Sequence, residues 1–90
     1  MSNNQIALSS LAMDLKRVAL GYHQGSFVMG NRFLEEALKR KNEVDTTSIE
    51  PYIKKLLDRV SLLVGEKDKE KIAEDALMYS TLFQNAALKK

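Results

Sequence analysis

The side chains that could carry chemistry are few in this sequence of 90 residues. It contains one histidine, no cysteine and no tryptophan, so thiolate metal sites, disulfides and cysteine nucleophiles are excluded. A metal site needs two or more converging nitrogen, oxygen or sulfur ligands. On a helix, the neighbours of His23 at three and four positions are Ala19, Leu20, Ser26 and Phe27, none of which is a carboxylate. We therefore expect His23 to be a half-exposed structural residue, with no metal bound.

The densest group of uncharged polar side chains lies among three glycines, between Gly21 and Arg32. A backbone can approach a ligand closely at glycine, so a small polar site centred on His23 and Arg32 is one hypothesis. It would make the chain a ligand-binding or enzymatic subunit, with the two side chains converging in a closed pocket. The simpler interpretation, which we prefer, is a turn between two helices.

No other pattern in the sequence indicates catalysis. It contains no Glu-x-x-His pair, no Gly-x-Ser-x-Gly and no glycine-rich phosphate loop. Six carboxylates could take part in chemistry, and most of them fall opposite the apolar stripes of the predicted helices, where we expect solvent; the six are Asp14, Glu35, Glu36, Asp58, Glu74 and Asp75. The sequence therefore predicts neither an enzyme nor a cofactor.

Basic side chains form three clusters; besides Lys16 with Arg17, two of them could contact phosphates. One comprises Lys39, Arg40 and Lys41, and the other contains Lys54 and Lys55. The chain as a whole has 14 basic and 12 acidic residues, and a formal charge of +2 does not by itself imply a polyanionic partner. Binding of nucleic acid through these helix faces is our alternative hypothesis for the function.

The composition predicts a single helical domain spanning residues 1–90. Leu and Ala, which favour helix, dominate the apolar residues, and aromatic residues make up only 7% of the chain. Apolar positions recur with a period near 3.6 in the first segment, at Leu8, Leu11, Ala12, Leu15, Val18, Ala19 and Tyr22. Ser2 with Gln5, or Asn3 or Asn4, would cap this helix.

Residues 4–41 could form one helix or two. In the two-helix interpretation, Gly21 ends the first helix and Ser26 caps a second that runs roughly over 26–41. In the other, the helix continues through this stretch, and close packing against Gly21 and Gly25 offsets the cost of the glycines. The inner arc of the second stretch contains Phe27, Gly30, Leu34, Ala37 and Leu38, widened by Met29 and Phe33.

Two further helices follow a loop at 42–47. Thr47 or Ser48 would cap the third, with Pro51 in its first turn. Its stripe is Ile49, Tyr52, Ile53, Leu56, Leu57, Val60, Leu63 and Val64, and Gly65 would end it. The last helix would run from about Asp68 to Leu88 after a short connector, with Ile72, Ala73, Ala76, Tyr79, Phe83, Ala86 and Ala87 inside. The sequence thus predicts an all-α, antiparallel up-down bundle of three or four helices.

A few apolar residues fall outside these stripes and indicate an interaction surface. Leu62 lies on the polar side of the third helix, and Met78 and Leu82 lie at the edge of the inner face of the last. A domain of this size buries a smaller fraction of its surface on folding than a larger domain does, so association would add useful buried area. We therefore expect a non-enzymatic protein that interacts through helix faces, as a homodimer or with another protein. No segment is apolar enough to span a membrane, and we expect a cytoplasmic location.

Overall fold

The protein forms a bundle of α-helices, as the sequence predicts. The computed structural model describes residues 3–88, and that part of the chain contains four α-helices and no strand. They are α1 (Asn3–His23), α2 (Phe27–Lys41), α3 (Pro51–Leu62) and α4 (Lys69–Leu88). Two short 3₁₀ turns, Thr46–Ser48 and Leu63–Gly65, lie before and after α3. The four-helix version of the predicted bundle is therefore the one adopted.

The helix α1 lies between α2 and α4 and packs along both of them. The 3.6-residue periodicity of α1 places one stripe on the inner side of this layer, and every residue of the predicted stripe is buried. The helix α3 makes fewer backbone contacts with the layer and covers its inner side with Ile53, Leu57 and Val60. The largest fully buried side chains come from three helices; they are Phe83, Leu11, Leu15, Leu57, Ile72, Val18 and Val60.

A tight turn separates α1 from α2, which settles the choice between one helix and two. Gly25 has a φ of +78°, a left-handed conformation that side-chain-bearing residues rarely adopt. The N–H of Ser26 donates to the carbonyl of Gly21 at 2.8 Å. Gly21 itself lies inside α1, so the prediction that it ends the helix is wrong. Ser26 holds the N-cap position of α2, but its side chain makes no capping hydrogen bond.

The two helices approach each other most closely beside this turn. A Cβ atom built on Gly21 would lie 2.8 Å from both the Cα and the nitrogen of Gly30. A Cβ atom on Gly30 would lie 3.0 Å from the ring of Tyr22. The predicted close packing at glycine therefore occurs at Gly21, whereas the space around Gly25 is open.

The start of α3 differs from the prediction. The hydroxyls of Thr47 and Ser48 donate to the carboxylate of Asp45 and stabilise a 3₁₀ turn, so neither residue caps α3. Glu50 takes the N-cap position, and Pro51 is the first helical residue. Asp45 also exchanges two hydrogen bonds with the side chain of Asn4, at 2.8 and 3.0 Å, which join this turn to the start of α1.

The remaining helix ends and inner faces agree in part with the sequence. The Asp68 carboxylate accepts hydrogen bonds from the N–H groups of Glu70 and Lys71, so it caps α4 as predicted. Tyr52, Val64 and Phe27, expected on inner faces, are exposed instead. Val64 turns outward because the helix tightens into a 3₁₀ turn at Leu63. The proposed cap at Ser2 lies outside the described residues.

The contact between Gly21 and Gly30 leads to a prediction about stability. We expect Gly21→Ala to lower the free energy of unfolding by about 1–3 kcal/mol, because the added methyl group overlaps backbone atoms that cannot move independently of α2. The measurement is urea denaturation followed by circular dichroism.

Gly65→Ala is the matched control, because a Cβ at Gly65 meets no atom within 4 Å and its φ is not positive. We expect it to change the free energy of unfolding by less than about 0.5 kcal/mol. Equal effects of the two substitutions would contradict the close approach.

Candidate interaction surface

The three residues predicted to form an interaction surface lie on two helices. Leu62 is 71% exposed and lies on the side of α3 opposite Ile53 and Val60. Met78 is exposed and Leu82 is half-buried, and their spacing of four places both on one side of α4. Their position at the surface is compatible with an interaction, and that role stays a prediction.

A second set of exposed apolar residues lies on the outer side of α1. Ile6, Met13 and Leu20 are 50%, 52% and 48% exposed. A spacing of seven drifts only about 20° around a helix, so the three form one line. That line lies opposite the buried stripe and therefore points away from α3. The buried stripe does not reveal this line, and the signal that could have predicted it is the spacing of seven between Ile6, Met13 and Leu20 in the sequence.

Apolar residues of the neighbouring helices extend this line on both sides. Leu77 of α4 and Met13 line a shallow cavity of about 320 Å³, together with polar residues that include Lys16, Thr81 and Gln84. On the other side, Met29 and Phe33 of α2 line a depression of about 640 Å³. We call the surface formed by Ile6, Met13, Leu20, Met29 and Leu77 the open face.

Arg17 connects α1 to α2 beside the open face. Its guanidinium lies over the Phe33 ring, 5.5 Å from the ring centroid, and 3.6 Å from the carboxylate of Asp14. A cation over an aromatic face is attracted by the ring quadrupole, so Arg17 covers part of the apolar ring while it remains partly solvated.

Asp14 is buried, which corrects the prediction that it lies on a solvated face. Its second carboxylate oxygen lies 3.6 Å from Nε of Arg40, across the contact between α1 and α2. Burial raises the pKa of the Asp14 carboxyl, and the charges of Arg40 and Arg17 oppose that rise. The stripe of α1 alone could not reveal this burial, because it results from the side-by-side packing of α2.

His23 and Arg32 are both exposed, so they do not converge in a closed pocket. His23 ends α1, whereas Arg32 lines the depression beside Met29 and Phe33. The hypothesis of a polar site therefore lacks the geometry on which it depended, and any role of the two residues stays a prediction.

Some residues of the basic clusters form ion pairs with acidic side chains. Lys39 lies 3.7 Å from a carboxylate oxygen of Glu36, and Arg40 contacts Glu43 in addition to Asp14. Lys41 and Lys54 line one shallow cavity of about 270 Å³. Lys55 is exposed on α3. The structure thus brings together one lysine from each cluster, and two lysines beside a shallow cavity do not by themselves identify a nucleic-acid partner.

Among residues 3–88, no group of three or more His, Cys, Asp or Glu side chains is arranged to hold a metal ion. None of the helices in this range is long and apolar enough to cross a membrane. The sequence matches no protein-family model, and neither a curated protein nor a solved structure shows significant similarity to it.

The buried carboxyl of Asp14 predicts a dependence of stability on pH. Its folded pKa lies above the ordinary value of 3.8. At a pH between the unfolded and the folded pKa, the folded protein therefore keeps a proton that the unfolded chain has released. The stability from the protonated carboxyl is present below the unfolded pKa and is lost as the pH rises through the folded pKa. Relative to Asp14→Asn, we expect the free energy of unfolding of the wild type to fall as the pH rises from the unfolded pKa through the folded pKa. The measurement is urea denaturation at a series of pH values.

Asp45 provides a comparison of opposite sign. Hydrogen bonds from the hydroxyl and N–H of Thr47 and from the hydroxyl of Ser48 lower the pKa of its carboxyl. Its contribution is present above the unfolded pKa and is lost as the pH falls through the folded pKa. Relative to Asp45→Asn, the wild type should therefore lose stability on acidification. If stability changed with pH in the same direction for both residues, the opposite pKa shifts given to Asp14 and Asp45 would be contradicted.

Proposed function

We propose that this protein is a non-enzymatic interaction protein that self-associates as a homodimer through a helix face. The observation that carries the proposal is the open face, on which apolar side chains of three helices lie about half exposed on one side of the molecule. Exposed apolar side chains gathered on one side of a molecule are typical of protein–protein contacts. The cytoplasmic location expected from the sequence is part of the same proposal.

The energetics support association through this face. Full burial of one large apolar side chain contributes about 1.5–3 kcal/mol, so burial of the remaining exposed half contributes about 1 kcal/mol for each. Five such residues on each of two chains therefore supply a gross gain comparable to the entropic cost of association. The methionines at positions 13 and 29 suit such a surface, because an unbranched side chain adapts to the shape of its partner.

The chemical groups of the chain favour this function over the alternatives. His23 and Arg32 are both exposed, which gives no support to an enclosed active site. Arg40 and Lys39 have acidic neighbours within 4 Å, which weakens their availability for phosphates. Nucleic-acid binding stays the second hypothesis, supported by the shared cavity of Lys41 and Lys54.

The proposal predicts the oligomeric state of the protein. Sedimentation equilibrium at micromolar concentration should give twice the mass of the chain, and Met13→Glu should give the single-chain mass because a carboxylate would be buried at the centre of the contact. Val64→Glu is the control, since Val64 is 61% exposed, follows α3 and borders none of the open-face residues. A wild-type protein that remains a single chain at every concentration would contradict self-association.

Charge substitutions also distinguish the open face from the surface predicted from the sequence. If the dimer forms through the open face, Leu62→Glu and Met78→Glu leave the mass unchanged. If one of them instead gives single chains while Met13→Glu does not, self-association stands and the contact lies on the α3 or α4 surface.

The nucleic-acid alternative has its own measurement. We expect fluorescence anisotropy of short labelled DNA and RNA strands to show no salt-dependent binding at low ionic strength. Binding that weakens steeply with salt and is lost in a Lys41→Glu, Lys54→Glu double variant would establish the alternative.

A further inference from the structure

We infer that the open face takes a second copy of this chain, with the two α1 helices antiparallel and a two-fold axis at Met13. The inference rests on the proposed self-association and adds the identity of the partner surface and its register. A two-fold contact uses the same patch on both chains, so the patch must be complementary to itself. The sequence of the outer side of α1 has this property.

The apolar line of α1 is symmetric about its middle residue. The helix spans Asn3–His23, and Met13 is the central residue of its 21. Ile6 and Leu20 lie seven residues to either side, about 10 Å along the helix axis. A two-fold axis perpendicular to α1 at Met13 therefore places Ile6 against Leu20 of the partner subunit, and the two Met13 side chains against each other. All three levels of the contact are apolar.

The charges beside this line favour the antiparallel register over a parallel one. Lys16 and Arg17 are exposed and flank the line on opposite sides. In a parallel pair, with the axis along α1, Lys16 would face Arg17 of the partner subunit at the same level, which repels. In the antiparallel pair, both basic residues face the level of Ser9 and Ser10, whose hydroxyls accept hydrogen bonds from cations. No like charges then meet along α1.

The neighbouring helices extend the same symmetry. An axis perpendicular to α1 brings α4 against α4 of the second copy. Ser80 donates to the carbonyl of Ala12 at 2.8 Å, so this part of α4 lies at the level of Met13. Leu77, which lines a cavity with Met13, therefore lies near the axis and close to its own copy. The two cavities beside Met13 would face each other and close.

The size of this side of the molecule matches what a stable dimer needs. The molecule measures 36 by 20 by 19 Å between its Cα extremes. One long side is therefore about 700 Å², close to the ~800 Å² per partner of a standard interface. A second copy would cover that side as α3 covers the inner one.

Cross-linking of single cysteines tests the register directly, because the chain has no cysteine of its own. Three variants would be made, Ile6→Cys, Met13→Cys and Leu20→Cys. One of them would be prepared both with and without a tag. Each would be treated with a short thiol-specific bis-maleimide. We expect Met13→Cys to cross-link with itself. An equilibrated mixture of Ile6→Cys and Leu20→Cys should give the mixed product, whereas each alone should give little, because like residues lie about 21 Å apart.

The outcomes separate this inference from the proposed function. Efficient cross-linking of Ile6→Cys with itself would indicate the parallel register and overturn the inference. A dimer in sedimentation that no α1 cysteine cross-links would also overturn it and leave self-association standing. Single chains in sedimentation would overturn both. Val64→Cys, on an exposed residue after α3, serves as the control for random collision, and circular dichroism shows that each variant is folded.

Discussion

The contact between Gly21 and Gly30 is the constraint on which the arrangement of the first two helices depends. A left-handed residue at Gly25 reverses the chain within three residues, and the absence of side chains at Gly21 and Gly30 lets the two backbones meet beside the turn. This fixes the register of α2 along α1. Tyr22 packs on Gly30 and donates a hydrogen bond to Asn31, while Arg40 reaches Asp14 further along the same contact.

That register also explains why a charged residue is buried beside an apolar core. Asp14 lies at the edge of α1 that α2 covers, and removal from water is unfavourable for its carboxylate. The two arginines near it compensate part of that cost. The contact of Asp14 with Arg40 favours one register of α1 and α2, since a shift of one turn would separate the two side chains and leave the buried carboxylate with Arg17 alone. The same shift would bring the Cβ atoms of neighbouring residues into the space at Gly21.

The sequence predicted those parts of the fold that depend on a single helix. The stripe of α1, the cap at Asp68 and the all-α bundle follow from spacing and local hydrogen bonding, and the structure confirms them. The burial of Asp14, the exposure of Tyr52 and the line of Ile6, Met13 and Leu20 depend on which sides of a helix have neighbours. A stripe identifies the side facing the core, but it does not tell how many helices flank it. The roles of the candidate residues depend on a partner, which a single chain does not contain.

The distribution of apolar residues differs between the helices in a way that supports a second layer. The helices α2 and α3 separate polar and apolar sides strongly, as expected for helices with one covered side. The separation is weak in α1 and α4, where apolar residues also occur on the outer side. A helix that is apolar on both sides is typically buried within a larger core. In one copy of this chain, α3 covers only the inner side of α1. A second copy on the open face would make α1 a central helix of the assembly, which is the environment that its sequence fits.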